Sequence, residues 1–357
     1  MPEVRTVFSS RVAFAAAHVV ADPSALTAPG APAALDWDAT LAFRQHLWSW
    51  GFGVADAMDT AQRNAGLDWA ATRTLITRSA SVASGPLACG AGTDHVGDVV
   101  SLAEVVAAYE EQVAFVEGAG AQVVLMASRQ LVRVARGPED YMAVYSGLLK
   151  QTARPVILHW LGPMFDPHLA GYWGSSDVPV ATETLLSIIG ENPGAVDGVK
   201  VSLLDAAHEV ELRRRLPSGV RLYTGDDFHY PALIRGDEFG YSDALLGILD
   251  PIAPVAATAF ACLDAGDLAG YDAALEPTVP LARHLFGAPT SAYKTGIVFL
   301  AWLAGYQPAF AMVNGATTAR SVPHLIEAFR LADQAGLFPD PDLTAARMRA
   351  FRTVHGA

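Results

Sequence analysis

One lysine of this chain has almost only apolar neighbours along the sequence. Lys200 lies within residues 195–204, whose composition is typical of a buried strand. Lysine is rarely buried without a specific reason, and apolar surroundings lower its pKa. A neutral amine can attack a carbonyl carbon and form an imine, which withdraws electrons from the adjacent bonds once it is protonated. The alternative is a lysine at a strand end that reaches water or pairs with a carboxylate.

Polar side chains also follow several other apolar runs of the chain. They are His18, Asp56, Asp59, Thr60, Thr93, Asp94, His95, His159, Asp226, Asp227 and His229, and Gly225 precedes the last three. If the runs are strands of one barrel, their carboxyl ends converge on a single mouth, where the active sites of such barrels lie. Any one of these residues, Asp227 in particular, could instead cap a helix. As a group, they predict a site rich in hydrogen-bonding groups.

The elements that would position these residues are visible as an alternation of short apolar runs with longer amphipathic segments. Such runs are typical of parallel strands with both faces buried. The predicted strands are residues 12–20, 53–58, 86–92, 122–128, 155–160, 198–202, 221–226 and 244–249. The predicted helices between them include residues 37–50 after the N-cap Asp36, 102–117, 138–152, 183–190 and 206–216. The fold class is therefore α/β, a (β/α)8 TIM barrel over residues 1–250, with additional C-terminal helices over 251–357.

Composition excludes several classes of function. The 357 residues are 52% hydrophobic and carry a formal net charge of −13. This charge argues against binding to nucleic acid or to anionic membrane surfaces. The sequence lacks a dinucleotide-binding fingerprint and a P-loop, so we expect no cofactor. Residues 1–20 lack the features of a signal peptide, and no apolar run is long enough for a membrane span, so we expect a cytoplasmic protein.

Several motifs, in the right order, resemble a known superfamily. The strand P-V-I-L-H-W at residues 155–160 and the strand G-V-K-V-S at 198–202 resemble two strands of the dihydrodipicolinate synthase and N-acetylneuraminate lyase superfamily. Looser matches are L-D-W-D at 35–38, M-D-T-A-Q at 58–62, Y-T-G-D-D at 223–227 and A-Y-K-T-G at 292–296. Together they cover roughly residues 35–310. The resemblance implies a (β/α)8 barrel, a Schiff-base lysine at Lys200, a small-molecule carbonyl substrate and a homodimer or homotetramer.

The chain departs from the superfamily pattern at the positions that bind a keto acid. His159 stands where the family has a catalytic tyrosine, and Thr60 is all that remains of its glycine–threonine loop. The family arginine after strand five has no counterpart in residues 162–166. An anionic Asp59 would also repel a substrate carboxylate. We therefore expect a neutral, polyhydroxylated ketone or aldehyde rather than pyruvate.

These considerations lead to one main hypothesis. It is a class I lyase, an aldolase or a dehydratase, in which Lys200 forms the imine, His159 is the general acid or base and Thr60 positions hydroxyl groups. Six residues are expected to bind the substrate. The long segment 162–180 is either a binding loop, whose aromatic residues could stack on a sugar ring, or a surface insertion. The six are Asp56, Asp59, Asp94, Gly225, Asp226 and Asp227.

The sequence leaves two alternatives open. One is a divalent-metal sugar isomerase, epimerase or hydrolase, although close metal-ligand spacing such as H-x-H is missing. Its ligands would come from His18, Asp56, Asp94, His95, His159, Asp226 and His229. The other is a non-catalytic sugar-binding protein on the same fold. The main hypothesis requires no metal.

Overall fold

Eight parallel strands close into a barrel in the order in which they occur in the chain. The structure, a computed structural model, describes residues 7–99 and 101–357, so the first six residues of the segment 1–20 lie outside it. The strands are β1 (Ala13–Ala16), β2 (Gly53–Asp56), β3 (Leu87–Ala91), β4 (Gln122–Leu125), β5 (Val156–Leu161), β6 (Val196–Ser202), β7 (Arg221–Thr224) and β8 (Asp243–Leu246). The predicted (β/α)8 barrel is confirmed.

Each predicted strand coincides with an observed one, but several were predicted to end too late. Residues 17–20, for example, are as buried as β1 itself. The backbone N–H of His18 nevertheless donates to the Asp250 carboxylate at 2.8 Å and leaves the ladder. Apolar composition indicates that a residue is buried, not that it is paired in a sheet. The predicted strands end too late because the chain stays buried beyond the point at which neighbouring strands separate at the barrel mouth.

The strands are connected by helices that cover the outside of the barrel. The helices of the described part of the chain are α1 (Trp37–Ser49), α2 (Trp69–Val82), α3 (Leu102–Gly118), α4 (Arg129–Val134), α5 (Pro138–Leu149), α6 (Val178–Glu191), α7 (Ala206–Arg215), α8 (Tyr230–Arg235), α9 (Leu249–Asp264), α10 (Leu268–Leu275), α11 (Val279–Leu285), α12 (Tyr293–Leu303), α13 (Val322–Gln334) and α14 (Pro341–His355). None of them has both the length and the hydropathy that a membrane span requires.

Side-chain capping explains where two of these helices begin. Asp36 accepts a hydrogen bond from Ala39 N at 3.0 Å and starts α1, as predicted. Helix α6 begins at Val178, earlier than predicted, because Asp177 accepts a hydrogen bond from Val180 N and Pro179 occupies the first turn. Proline is favoured there since its missing N–H is not needed in the first turn.

The additional C-terminal helices are confirmed, and they share one hydrophobic cluster with the barrel. The predicted domain boundary at residue 250 falls in the first turn of α9, which packs against β1. Helix α12 is buried over most of its length, and its first turn brings Tyr293 and Lys294 toward the ends of the strands. The C-terminal region therefore contributes side chains to the barrel mouth.

Alternation along the strands separates an inner cluster from the outer core. Successive side chains of a strand point to opposite faces, so residues two apart share a face. The inner cluster consists of Phe14, Ala16, Ala55, Met58, Ala88, Val124, Met126, Ile157, Tyr223 and Leu245. The intervening residues, such as Leu158 and Val199, belong to the outer core. His159 and Lys200 continue the inward-facing positions of β5 and β6.

Candidate active site

Lys200 is a buried amine near the carboxyl end of β6. Its Cα pairs with those of His159 on β5 and Tyr223 on β7, and the whole residue is 4% exposed. Burial lowers the pKa of Lys200, while the carboxylates of Asp59 and Asp227 act in the opposite direction. Within residues 7–99 and 101–357, Nζ has no hydrogen bond and no ion pair closer than 4.0 Å. The amine is thus held in place without being tied to a structural partner.

Gly225 provides the space through which the lysine side chain passes. A Cβ atom at this position would lie 2.2 Å from Ser202 Oγ, 2.8 Å from the carbonyl oxygen of Val201 and 3.0 Å from Lys200 Cε. Contacts this short exclude any larger residue unless the barrel shifts. Gly225 therefore lies at the site, where it makes room for the amine and presents no side chain of its own to a ligand.

His159 lies beside Lys200 with one ring nitrogen unused. Its Nε2 is 3.3 Å from Ser202 Oγ, whereas its Nδ1 is buried with no hydrogen-bond partner among the described residues. Burial first, and then the charge of Lys200, lower the pKa of His159 well below its ordinary value, and Asp59 opposes them. The imidazole is therefore neutral near pH 7 and is available as a proton acceptor.

Asp59, Thr60 and Tyr293 form a hydrogen-bonded group that joins the loop after β2 to α12. The Tyr293 hydroxyl donates to Asp59 Oδ2 at 2.7 Å and lies 2.8 Å from Thr60 Oγ1. Because a phenol has one proton, Thr60 must be the donor to Tyr293. Burial would raise the pKa of Asp59, but Lys294, Lys200, His159 and the Tyr293 hydrogen bond lower it to about 2.

Asp227 is the second carboxyl group near the lysine. It is 3% exposed and accepts a hydrogen bond from Ile248 N at 2.8 Å. Burial raises the pKa of Asp227 well above its ordinary value, although the Ile248 hydrogen bond and Lys200 counteract the rise. Its carboxyl group therefore keeps a proton at higher pH than an exposed aspartate does and is suited to supplying one. The sequence had left open that Asp227 caps the following helix, but in the structure it does not.

Three other predicted substrate ligands are not brought to this cluster. Asp56 faces the outer helices, where Arg44 Nη2 donates to it at 2.8 Å and Ser79 Oγ at 2.6 Å. Asp94 accepts from Arg63 and Gln112, and Asp226 accepts from the backbone N–H groups of Phe228 and His229 at the start of α8. Asp56 and Asp226 lie one residue out of step with the inward positions Ala55 and Asp227. Their carboxylates are engaged in structural contacts, which corrects the sequence-based assignment.

The residues proposed as metal ligands are likewise dispersed. His18 Nδ1 lies 2.8 Å from Asp250, and its Nε2 lies 3.0 Å from Gln307. His95 contacts Glu111 and Gln112 on α3. Over the described ranges, no group of three histidine, cysteine or acidic side chains is arranged to hold an ion. The ligand set of the metal hypothesis is therefore not assembled.

A cavity of about 360 Å³ opens next to this cluster. A volume of this order suits a small metabolite. Its lining includes Asp59, Arg129, Phe165, Asp166, Ser291 and Lys294. Lys200 and His159 are buried and do not line it. Asp59 lines the cavity and also interacts electrostatically with the buried Lys200.

Of the aromatic residues in segment 162–180, one reaches the cavity. Phe165 lines it, and its ring centroid is 6.1 Å from that of Tyr293. Trp173 is fully buried against Tyr145, with ring centroids 4.7 Å apart, and Tyr172 bonds to the Tyr145 hydroxyl at 2.7 Å. Tyr172 and Trp173 therefore do not line the cavity, because both rings pack against the outer helix α5.

Sequence reasoning missed Ser202, Tyr293 and Lys294 as members of the site. A compositional signal was available for Lys294. The chain has 24 basic residues, of which only Lys150, Lys200 and Lys294 are lysine. Two of these three lysines are buried near the barrel mouth, whereas the other basic residues, apart from Lys150, are arginine.

Fold and site together define a (β/α)8-barrel protein with a buried, unpaired amine at the carboxyl end of its sixth strand. More narrowly, the chain belongs to the family described as protein of unknown function (DUF993), whose model matches residues 1–357. No curated protein matches the sequence.

Solved structures confirm the predicted resemblance at the level of the fold. YagE from E. coli K12, a prophage protein of the dihydrodipicolinic acid synthase family in complex with pyruvate, superposes with a TM-score of 0.70 at 14% identity, over 92% of this chain and 99% of that one. Dihydrodipicolinate synthase from Thermotoga maritima gives 0.68 at 15% identity, over 92% and 99%. A putative dihydrodipicolinate synthetase from Pseudomonas aeruginosa gives 0.67 at 15%, over 92% and 100%.

Proposed function

We propose that this protein is a Schiff-base-forming lyase, an aldolase or dehydratase of class I, that holds a hydroxylated carbonyl compound on Lys200. The observation that carries the proposal is the state of the amine. Lys200 is buried, its Nζ has no structural hydrogen bond in the described part of the chain, and burial lowers its pKa. Such an amine is nucleophilic at a pH where an exposed lysine is protonated.

The neighbouring groups can complete the reaction without a cofactor. The Lys200 amine attacks the carbonyl carbon, and the resulting carbinolamine loses water when Asp227 donates a proton to the departing hydroxyl. The protonated imine then accepts the electron pair of a C–C bond that breaks as the adjacent hydroxyl loses its proton, or of a C–H bond whose proton His159 removes. In the second case the enamine expels a hydroxyl group from the neighbouring carbon, and this group takes the C–O electron pair and the proton held by His159 and leaves as water. Protonation of the enamine carbon and hydrolysis of the imine release the product and return the amine.

Asp59 favours a substrate other than a 2-keto acid. Its pKa of about 2 keeps it anionic, and it occupies the loop after β2 where the resemblance would place donors for a carboxylate. A carboxylate next to the carbonyl carbon would meet this charge, whereas a substrate hydroxyl could donate to it. YagE is described as binding pyruvate, so pyruvate is the natural comparison compound.

Reductive trapping tests the proposal directly. The protein is incubated with dihydroxyacetone, glyceraldehyde or pyruvate together with cyanoborohydride, and the adduct is located by intact mass and peptide mapping. We expect one reduced adduct on Lys200, formed more slowly with pyruvate than with the hydroxylated compounds. Lys200→Met should abolish it, and Lys150→Met, which changes an exposed lysine, should not.

The results of this experiment distinguish a lyase from a non-catalytic binding protein. Absence of an adduct with every carbonyl compound, from a protein whose folded state is verified by circular dichroism, would overturn the proposal and favour a binding protein. Equal labelling of Lys150 and Lys200 would show that the buried amine has no special reactivity. The expected homodimer or homotetramer is a separate proposal, which light scattering on the eluting protein tests.

A further inference from the structure

The cavity beside the proposed imine site contains a second buried lysine, which the reaction described above does not use. Lys294 is 8% exposed and lines the cavity. Its ammonium has three donors, yet in the described part of the chain it makes one hydrogen bond, to the carbonyl oxygen of Ser291 at 3.3 Å. It also lies 4.4 Å from the centre of the Tyr293 ring. A buried ammonium with unused donors at a cavity wall is suited to an anionic ligand.

The acidic neighbours of Lys294 do not satisfy it. Asp59 Oδ2 is 4.0 Å from Lys294 Nζ, which is beyond hydrogen-bonding distance, and this oxygen already accepts from Tyr293. Asp166 is bound by Arg129 Nε at 2.6 Å and accepts from His168 N at 3.2 Å. Both carboxylates therefore leave the amine free to contact a ligand.

A second cation faces the same cavity. The Arg129 side chain is 35% exposed, and its contact with Asp166 uses Nε alone. Among the described residues its terminal nitrogens have no hydrogen-bond partner. Guanidinium and ammonium groups that share a cavity can bind one phosphate or carboxylate from two sides.

We infer that the carbonyl compound carries an anionic group, a phosphate or a carboxylate remote from the carbonyl carbon, and that Lys294 and Arg129 bind this group in the cavity. The inference rests on the proposed imine at Lys200, and it replaces the neutral substrate expected from the sequence by one that carries a negative charge. Asp59 excludes an anion adjacent to the carbonyl carbon, whereas the outer cavity accepts one farther away.

Matched pairs of carbonyl compounds test this inference. Trapping rates on Lys200 are compared for dihydroxyacetone and its phosphate, and for 2-pentanone and levulinate, which differ by a carboxylate. We expect the anionic member of at least one pair to react about tenfold faster at subsaturating concentration, as a charge-assisted contact would allow. The phosphate pair and the carboxylate pair distinguish the two kinds of anion.

Variants test whether Lys294 and Arg129 cause the preference for the anionic compounds. Lys294→Met should reduce the rate ratio to about one, Lys294→Arg should restore part of it, and Lys150→Met should leave it unchanged. If Lys294→Met does not fold, Arg129→Gln at the partly exposed position provides the same comparison. Inorganic phosphate should also slow the trapping of dihydroxyacetone in the wild type but not in Lys294→Met.

The failure of this inference can be told from that of the proposed function. Adducts on Lys200 with equal rates for both members of each pair would overturn the anion site and leave the imine proposal standing. A preference for anions that survives in Lys294→Met and Arg129→Gln would also overturn it. Absence of any adduct would instead remove the imine proposal on which the inference rests.

Discussion

His159 and Lys200 are direct partners on neighbouring strands, since their Cα atoms pair in the parallel register of β5 and β6. Paired residues of parallel strands project to the same face, so both side chains enter the barrel. Gly225, on the other side of Lys200, leaves room for the lysine side chain. The arrangement places a neutral imidazole beside a buried amine, and it leads to four predictions besides the trapping experiments.

His159→Asn should leave imine formation intact and slow proton transfer. Asparagine keeps a polar side chain at this position but cannot take up a proton. The rate at which deuterium from the solvent enters the carbon next to the carbonyl should therefore fall by about 100-fold. The measurement is mass spectrometry of dihydroxyacetone recovered from deuterated buffer. Ser202→Ala removes the Nε2 contact and should have a smaller effect, because Ser202 only positions the ring. An exchange rate unchanged in His159→Asn would assign the base elsewhere.

The pH dependence of trapping should report the charge of Asp59. Burial lowers the pKa of Lys200, while Asp59 and Asp227 stabilise its protonated form and so oppose the shift. The trapping rate should rise with pH as the amine loses its proton. Asp59→Asn removes a negative charge that favours the ammonium, so the midpoint of the rise should move to lower pH.

The control for this measurement is Asp98→Asn, which changes an exposed carboxylate paired with Arg133. It should leave the midpoint where it is in the wild type. A midpoint that rises in Asp59→Asn would mean that Asp59 does not act on Lys200 through its charge. Cyanoborohydride is suitable because it reduces imines near neutral pH.

Gly225→Ala should damage both stability and reactivity. The new Cβ would overlap Ser202 Oγ and the Val201 carbonyl oxygen, so we expect a loss of about 1–3 kcal/mol in the free energy of unfolding, measured in urea. Trapping at Lys200 should also slow, since Cε is 3.0 Å from the same position. Gly190→Ala is the matched control, because nothing lies within 4 Å of its Cβ and alanine favours the helix there. Equal stability of the two variants would contradict the geometry.

Asp56→Ala should affect folding and leave the chemistry unchanged. Its carboxylate is bound to Arg44, and both side chains are fully buried. Removal of one partner leaves a buried charge unpaired, so we expect a loss of about 3–5 kcal/mol in the free energy of unfolding. The fraction that remains folded should trap dihydroxyacetone at the wild-type rate. A lower rate per folded molecule would return Asp56 to the substrate site.

Local sequence signals were sufficient for the fold and for the central amine. Apolar runs predicted all eight strands, because a strand with both faces buried tolerates few polar residues. Asp36 predicted the start of α1 through the same hydrogen bond that the structure shows. Lys200 was identifiable because an ionisable group inside such a run violates the pattern around it. Glycine at 225 and the two adjacent aspartates were also visible, although their different roles were not.

Tertiary structure decided which of the predicted groups meet. Strand register decides whether Asp56 or its neighbour faces the interior of the barrel. A shift of one residue exchanges the two faces, and a short apolar run does not specify the register. Tyr293 and Lys294 are distant from Lys200 in the sequence, and only the packing of α12 on the barrel brings them to its mouth. Local propensity depends on neighbouring residues, whereas a site depends on distances between elements, and those distances follow from side-chain packing in the folded chain.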